Sequence, residues 1–212
     1  MKITVFGATG GIGQEIVKQA LAAGHEVTAV VRDPARFKVT GRGLEVFTAR
    51  LGDGDAVALR PAVAGRDAVF SGLGARARKD AGIAATLTRP VLRAMEAEGT
   101  RRLLAVSAAP LGPVPEGQPV VDRVTLAVIN AALKDIYADL RVMEEELARS
   151  ATDWTSVRPP RLTDGPLTGT YRKVVGGSPR SGRTIARADV AHAMLAMVDD
   201  AATVKRGVGV AY

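Results

Sequence analysis

Gly7-Ala8-Thr9-Gly10-Gly11-Ile12-Gly13 is the stretch that decides the fold of this 212-residue chain, because a different structure is predicted on each side of it. The apolar run Ile3–Phe6 precedes it and predicts a buried strand. After it, apolar residues recur at helical spacing up to Gly24, namely Ile12, Ile16, Val17, Ala20 and Leu21. The sequence therefore predicts a strand, a glycine-rich turn and a helix in direct succession.

The three spaced glycines indicate what this turn binds. Gly7 allows a tight turn out of the strand, Gly10 lets a pyrophosphate approach the backbone, and Gly13 lets the helix pack against the sheet. The helix N-terminus offers unpaired N–H groups and a partial positive charge to phosphates. The alternative is a glycine turn without a ligand. We expect a dinucleotide to bind at Gly7, Thr9, Gly10, Gly11, Ile12 and Gly13.

The end of the second predicted strand favours NADP(H) over NAD(H). The chain reads Val30-Val31-Arg32-Asp33 there, with Arg36 shortly after. A guanidinium group matches the ribose 2′-phosphate of NADP, whereas NAD sites usually place an acid at this point. Asp33 is the competing signal, and its other interpretation is a turn-former before Pro34. We therefore expect Arg32 and Arg36 to hold the 2′-phosphate, with the Thr9 hydroxyl donating to it.

The rest of the chain alternates short β-branched runs with longer helical patterns. This alternation predicts an α/β fold with a doubly wound parallel sheet, a Rossmann fold whose strand order begins 3-2-1-4-5-6. We expect one NAD(P)-binding domain over 1–212, with a small substrate cap built from the Pro/Gly-rich loops 108–121 and 159–183. The predicted strands are Ile3–Phe6, Glu26–Val31, Leu44–Phe47, Ala68–Phe70, Leu103–Val106, Trp154–Val157, Tyr171–Val175 and Val208–Tyr212. The predicted helices after the first are Asp55–Val63, Ala84–Glu98, Asp122–Arg149 and Ala188–Val198.

Composition and charge exclude several other classes of protein. The net charge is +7, but the cations are scattered and no aromatic residues interleave with them, which argues against nucleic-acid binding. No apolar run approaches the roughly 18 residues of a membrane span, and there are no cysteines. His25 and His192 have no metal-ligand partner at helical spacing, so no metal site is expected. We expect a cytoplasmic monomer that acts on a small molecule.

Six segments give the chain a family resemblance: Gly7–Gly13, Val30–Asp33, Gly52-Asp53, Leu73-Gly74, Ala105–Ala108 and Arg158–Tyr171. They resemble the atypical short-chain dehydrogenase/reductases, the NAD(P)H-binding proteins related to biliverdin reductase B, a flavin reductase, and more distantly the NmrA-like redox sensors. The segment Pro159–Tyr171 is similar to the reductase signature of Pro-Pro, one variable residue, then Pro-Leu-Thr-Gly. The resemblance implies that Asp53 contacts the adenine, Leu73 and Gly74 the adenosine side, and Ser107 and Ala108 the nicotinamide side. It also implies that Pro159 and Pro160 contact the carboxamide.

Two positions depart from the pattern of related enzymes. The usual dehydrogenase pair of Tyr and Lys, four residues apart, is here Tyr137 and Arg141, with Lys134 on the wrong side. Arg does not give up its proton, so we interpret Tyr137 as a packing residue, as in the biliverdin reductase B group, which lacks the pair. Arg161 stands where that reductase carries His after Pro-Pro. Its charge suits a substrate carboxylate or phosphate better than proton transfer.

These observations predict an NADPH-dependent oxidoreductase that reduces a flavin, a quinone-like compound or another conjugated small molecule. Ser107 and Arg161 are the candidate catalytic residues. The alternative is a non-catalytic NADP(H)-binding sensor of the NmrA-like type, which would also lack the Tyr–Lys pair. A nucleotide-sugar epimerase or dehydratase is disfavoured because it needs that pair and a larger second lobe. The acidic run Glu144-Glu145-Glu146 is interpreted as a solvated helix face.

Overall fold

The computed structural model describes residues 1–52, 56–75, 82–113, 117 and 131–212. In chain order the strands are β1 (Lys2–Phe6), β2 (Glu26–Val31), β3 (Leu44–Thr48), β4 (Ala68–Ser71), β5 (Arg102–Val106), β6 (Asp153–Arg158), β7 (Arg161–Thr163), β8 (Arg172–Val175), β9 (Thr184–Ala186) and β10 (Arg206–Ala211). The α-helices of the described part are α1 (Gly11–Ala22), α2 (Ala56–Val63), α3 (Ile83–Glu98), α4 (Lys134–Arg149) and α5 (Arg187–Ala196).

The main sheet has eight strands in the order β3-β2-β1-β4-β5-β6-β10-β8. All neighbours pair in parallel except β8, which runs antiparallel to β10 at one edge. The predicted order 3-2-1-4-5-6 and the doubly wound α/β class are therefore confirmed. The order reverses beside β1, between β1 and β4, and in such sheets ligands bind outside the carboxyl ends of the strands at that point.

Helices cover both faces of the sheet, and each face has its own apolar core. On one face, Ile16 and Val17 of α1 pack in a buried cluster with Val190 and Met194 of α5. The other face is covered by α2, α3 and α4, whose buried residues include Leu59, Val91 and Leu147. The two layers hold the parallel strands in register and so fix the edge at which their carboxyl ends meet.

Most predicted boundaries lie within three residues of the observed ones, with two differences. The long helix predicted over Asp122–Arg149 is described as α4 from Lys134, and residues 122–130 of that prediction lie outside the described residues. The second difference is a two-stranded parallel sheet of β7 and β9, which the sequence patterns did not predict. Each of these strands has only three residues, too few for a periodicity to show. The segment 159–183, expected as loop with one weak strand, thus carries both β7 and β8.

Candidate active site

The turn between β1 and α1, residues Gly7–Gly13, is called here the glycine turn. Gly7 has φ +72°, and a Cβ there would lie 2.8 Å from the backbone carbonyl of Gly72. A Cβ at Gly13 would lie 2.2 Å from the Gly7 oxygen, and the Gly10 N–H donates to that same oxygen at 2.8 Å. Side chains are therefore excluded at Gly7 and Gly13 for the reasons that the sequence suggested, namely a tight turn and close packing of the helix.

The N-terminus of α1 fits the phosphates of a dinucleotide. Gly10 is its N-cap, no side chain caps the helix, and its first turn carries no acidic residue. The first N–H groups of a helix have no partner within the helix, so these groups of Gly11, Ile12 and Gly13 are suited to an anion. Because Gly10 and Gly11 have no side chains, nothing from these two residues stands between the N–H groups and a ligand.

Arg187, at the start of α5, is a cation beside this helix terminus that the sequence reasoning missed. A Cβ on Gly11 would lie 2.5 Å from the Arg187 Cδ. The Arg187 Nη1 pairs at 2.5 Å with a carboxylate oxygen of the exposed Asp164. A pocket of about 280 Å³ lies next to this pair, and it is lined by Gly11, Gln14, Glu15, Asp164, Gly165, Pro166, Leu167, Arg187 and Ala188. Arg187 is far from Gly11 in the sequence, so only the packing of α5 against α1 brings the two residues together.

The residues after β2 include the two arginines that the sequence analysis expects at the ribose 2′-phosphate. Arg32 and Arg36 are exposed, and the described part of the chain holds no hydrogen bond or ion pair to either guanidinium. The Asp33 carboxylate instead accepts the Ala35 N–H at 3.0 Å and caps a short 3₁₀-helix, Pro34–Arg36. Asp33 is therefore the turn-former of the second interpretation. Asp53, expected at the adenine, lies outside the described residues.

Leu73 and Gly74 follow β4 at the same edge of the sheet. Leu73 is buried at 8% exposure, whereas Gly74 is exposed and a Cβ on it would have no atom of the described residues within 4 Å. Packing against the described residues therefore does not require a glycine at Gly74.

Ser107, Ala108, Pro159 and Pro160 come together because β5 and β6 are neighbours. The Ser107 N–H donates to the Val157 oxygen at 2.7 Å, and the Ala109 N–H donates to the Pro159 oxygen at 2.9 Å. These bonds continue the pairing of the two strands past their carboxyl ends. The predicted nicotinamide residues thus share one edge of the sheet with the glycine turn.

The Ser107 hydroxyl belongs to a group that we call the Glu144 cluster: Glu144, Ser107, Ser156 and Arg158. The Ser107 Oγ donates to the Glu144 Oε1 at 2.7 Å, and Arg158 forms a two-pronged ion pair with the same carboxylate. The side chains of Glu144 and Arg158 are each only 14% exposed. The interpretation of Glu144 as part of a solvated face is therefore wrong, because the acidic run turns one of its three carboxylates inward.

Arg161 opens β7 and is exposed. Its strand neighbour is Thr184 of β9, and the part of the chain that the structure describes gives its guanidinium no hydrogen bond or ion pair. It follows the buried Pro159 by two residues at the end of β6. The structure therefore leaves the side chain of Arg161 available to an anionic group at this end of the sheet.

Tyr137 lies on α4 and packs, partly buried, against the core of its face. Burial raises the pKa of the Tyr137 phenol, whereas the Lys of a dehydrogenase Tyr–Lys pair lowers the pKa of its Tyr. The environment of Tyr137 is thus that of a packing residue. The two histidines contact other groups: the His192 Nδ1 is 2.9 Å from the Tyr171 hydroxyl, and the His25 Nδ1 is 3.4 Å from the N-terminal amine. Within the described residues no group of three potential metal ligands is found.

With this geometry in place, comparison with known proteins identifies the family. The model of a family described as NAD(P)H-binding matches residues 7–201, which includes the glycine turn and the Glu144 cluster. The chain belongs to this NAD(P)H-binding family. The expected resemblance to NAD(P)H-binding proteins is therefore confirmed.

Two proteins similar in sequence to this NAD(P)H-binding chain carry reductase names. A Streptomyces protein named 3-diazoavenalumate denitrifying reductase is 32% identical over 155 residues, which cover 68% of this chain and 50% of that protein. The chain thus spans half the length of this relative. The reductase pytE of Aspergillus terreus is 27% identical over 233 aligned positions, covering 89% of this chain and 88% of that protein. Among solved structures, a candidate NADH-flavin reductase from Streptococcus pneumoniae superposes with a TM-score of 0.77 at 23% identity, covering 100% of this chain and 99% of that one.

No described helix of this family member is both long and apolar enough to cross a membrane.

Proposed function

We propose that this chain is an NADPH-dependent reductase that transfers hydride to a flavin, a quinone-like compound or another conjugated small molecule. The observation that carries the proposal is the glycine turn with its uncapped helix terminus, in a chain of the NAD(P)H-binding family. The reductase names of two relatives and the flavin-reductase name of a structural neighbour support the reaction class.

The choice of NADPH over NADH rests on Arg32 and Arg36. Both guanidinium groups are exposed and without a partner in the described chain, and they follow the strand that carries the ribose-binding residue in related folds. An Arg forms charge-assisted, two-pronged bonds to a phosphate, and the Asp33 Oδ1 accepts the Ala35 N–H as a turn-forming residue does.

In the proposed reaction the cofactor supplies a hydride. The chain's own residues bind the cofactor, orient it and exclude water from the site. The substrate takes up that hydride with its two electrons and one proton from solvent, and NADP⁺ is left. The α1 terminus would hold the pyrophosphate, and Ser107, Ala108, Pro159 and Pro160 would border the nicotinamide. Arg161 would bind an anionic group of the substrate. We expect the chain to do this as a monomer, without nucleic acid or a membrane.

The second candidate is a non-catalytic NADP(H) sensor. It is favoured by one observation, the partly buried phenol of Tyr137 with Arg141 in place of the expected Lys, so that the conventional Tyr–Lys pair is missing from α4. Both candidates share the cofactor site and differ in turnover.

One experiment separates them. NADPH oxidation is followed at 340 nm with FMN, riboflavin and a water-soluble quinone, at saturating NADPH and without oxygen. A reductase gives steady oxidation that scales with enzyme and saturates with substrate. Tight binding of NADP⁺ and NADPH without oxidation on such a panel would contradict the enzyme and favour the sensor.

A further inference from the structure

The Glu144 cluster places a largely buried carboxylate beside Ser107, one of the residues expected to border the nicotinamide. The Glu144 Oε1 accepts from the Ser107 Oγ at 2.7 Å, the Ser156 Oγ at 2.6 Å and the Arg158 Nε at 2.9 Å. Its Oε2 accepts from the Arg158 Nη2 at 2.6 Å. Four donor groups, one from the residue that follows β5 and three from β6, thus converge on one carboxylate of α4.

Glu144 is ionised in this environment. Burial alone would raise its pKa, but the hydrogen bonds from Arg158, Ser156 and Ser107 together lower the pKa below its ordinary value. An ionised carboxylate can only accept hydrogen bonds, and a serine hydroxyl has one proton to donate. The single hydroxyl proton of Ser107 is therefore committed to Glu144.

What remains to Ser107 is the capacity to accept. A serine oxygen keeps lone pairs after donating its proton. Ser107 stands just past the end of β5 and retains 6% exposure, whereas Ser156, whose hydroxyl makes the same bond to Glu144, has none. Of the two serines, only Ser107 keeps exposed surface, and it stands past the carboxyl end of its strand.

We propose that Ser107 is a hydrogen-bond acceptor toward the bound cofactor, with the carboxamide N–H₂ of the nicotinamide as its donor, and that Glu144 is the positioning residue that fixes this polarity. This inference rests on the proposed function, since it places the nicotinamide at the ends of β5 and β6. It also removes Ser107 as the source of the substrate proton. The proton that accompanies the hydride then comes from solvent.

The test compares NADP⁺ with its 3-acetylpyridine analogue, in which a methyl ketone replaces the carboxamide. The analogue keeps the carbonyl oxygen and lacks the N–H donors. Affinity is measured by calorimetry for the unmutated chain and for Ser107→Ala. We expect Ser107→Ala to weaken NADP⁺ binding by about three- to tenfold, the value of one neutral hydrogen bond, and to leave the analogue unchanged.

Two further variants separate polarity from packing. Ser156→Ala is the matched control, since it removes a hydroxyl that donates to the same Glu144 oxygen but has no exposed surface, and it should leave the ratio of the two affinities unchanged. Glu144→Gln keeps the size of the side chain but removes its charge and replaces one acceptor oxygen by a donor N–H₂, so the Ser107 proton is held less firmly and that ratio should fall, though by less than in Ser107→Ala. Circular dichroism confirms the folded state of each variant.

The outcomes distinguish the inference from the function beneath it. Equal weakening of both dinucleotides by Ser107→Ala, or the same change of ratio in Ser156→Ala, would overturn the acceptor role alone. If the unmutated chain failed to bind NADP⁺, the proposed function would fall and this inference with it.

Discussion

The glycine turn and the Glu144 cluster lie at the same edge of the sheet, yet they are built in opposite ways. The glycine turn works by having no side chains, and its decisive contacts are with backbone atoms: Gly13 lies against the Gly7 oxygen, six positions away, and Gly7 lies against the Gly72 carbonyl. The Glu144 cluster consists of side chains, and its bonds join residues 12 to 37 positions apart. One region requires that side chains be absent beside backbone, and the other depends on polar side chains that the fold brings together.

This difference has an energetic counterpart. At the glycine turn a substitution adds atoms where backbone already lies, so the cost is steric. In the Glu144 cluster a truncation leaves a buried charge without its partner, so the cost is electrostatic. The two regions should therefore respond to different substitutions, and the following changes test that expectation from the largest effect to the smallest.

Glu144→Ala should have the largest effect on stability. It leaves Arg158, 14% exposed, without a counterion, and breaking such a buried pair costs about 3–5 kcal/mol of unfolding free energy. The neighbour Glu145 is the matched control, because it pairs with Arg149 on an exposed face, and Glu145→Ala should cost at most about 0.5 kcal/mol. Urea denaturation measures both. Equal values would show that the Glu144 cluster is no more than a surface ion pair.

The Glu144 contribution should also depend on pH with a defined sign. The folded state lowers the pKa of Glu144 from its ordinary value of 4.5, so its stabilisation is complete above that pH and is lost as the pH falls toward the folded-state pKa. The gap in stability between the unmutated chain and Glu144→Ala should therefore narrow below about pH 4.5.

Gly13→Ala should come next. Its Cβ would lie 2.2 Å from the Gly7 oxygen, and backbone does not yield as a flexible side chain does, so we expect a loss of about 3 kcal/mol, the upper end for overpacking. Cofactor binding should fall with it. Gly74→Ala is the control, since no atom of the described residues lies within 4 Å of its Cβ and the unfolding midpoint in urea should not change. A Gly13→Ala chain as stable as Gly74→Ala would contradict the close approach of α1 to the glycine turn.

Arg161→Ala should act on the substrate alone. Loss of a charge-assisted bond to the FMN phosphate should raise the KM for FMN by roughly tenfold or more, while riboflavin, which has no phosphate, keeps its KM. Affinity for NADPH should stay the same, because the cofactor phosphates are expected at the glycine turn. Steady-state kinetics with the two flavins measure this. An identical rise for both would make Arg161 a structural residue.

Tyr137→Phe should have the smallest effect. The phenol is partly buried in the core of its face and burial raises its pKa, so the variant should keep most of its reductase activity. A fall of about a hundredfold or more in kcat, the usual scale of general acid catalysis, with folding intact would show that Tyr137 and Arg141 form an unconventional pair.

The contrast between the two regions also explains which features could be predicted. The strand, glycine turn and helix were predictable because their determinants are neighbours in sequence, and the strand order followed from the alternation of elements. The sequence does not show that Glu144 is turned inward, because it stands in a run of three glutamates and only the packing of α4 beside β6 buries its side chain. Arg187 was missed because its position beside Gly11 depends on α5 packing against α1. The three-residue strands β7 and β9 were missed because they are shorter than any detectable period.

The most direct test of the account is the affinity of the chain for NADPH and for NADH, before and after Arg32→Ala. Fluorescence titration of the bound dihydronicotinamide measures all four values. We predict that the unmutated chain binds NADPH more tightly by roughly 10- to 100-fold, the value of a charge-assisted bond to the 2′-phosphate, and that Arg32→Ala removes most of this difference by weakening NADPH alone. Arg42→Ala, an exposed cation farther along the same loop, should preserve the difference. Equal affinity of the unmutated chain for the two cofactors would contradict the assignment of NADPH and of Arg32 as its ligand.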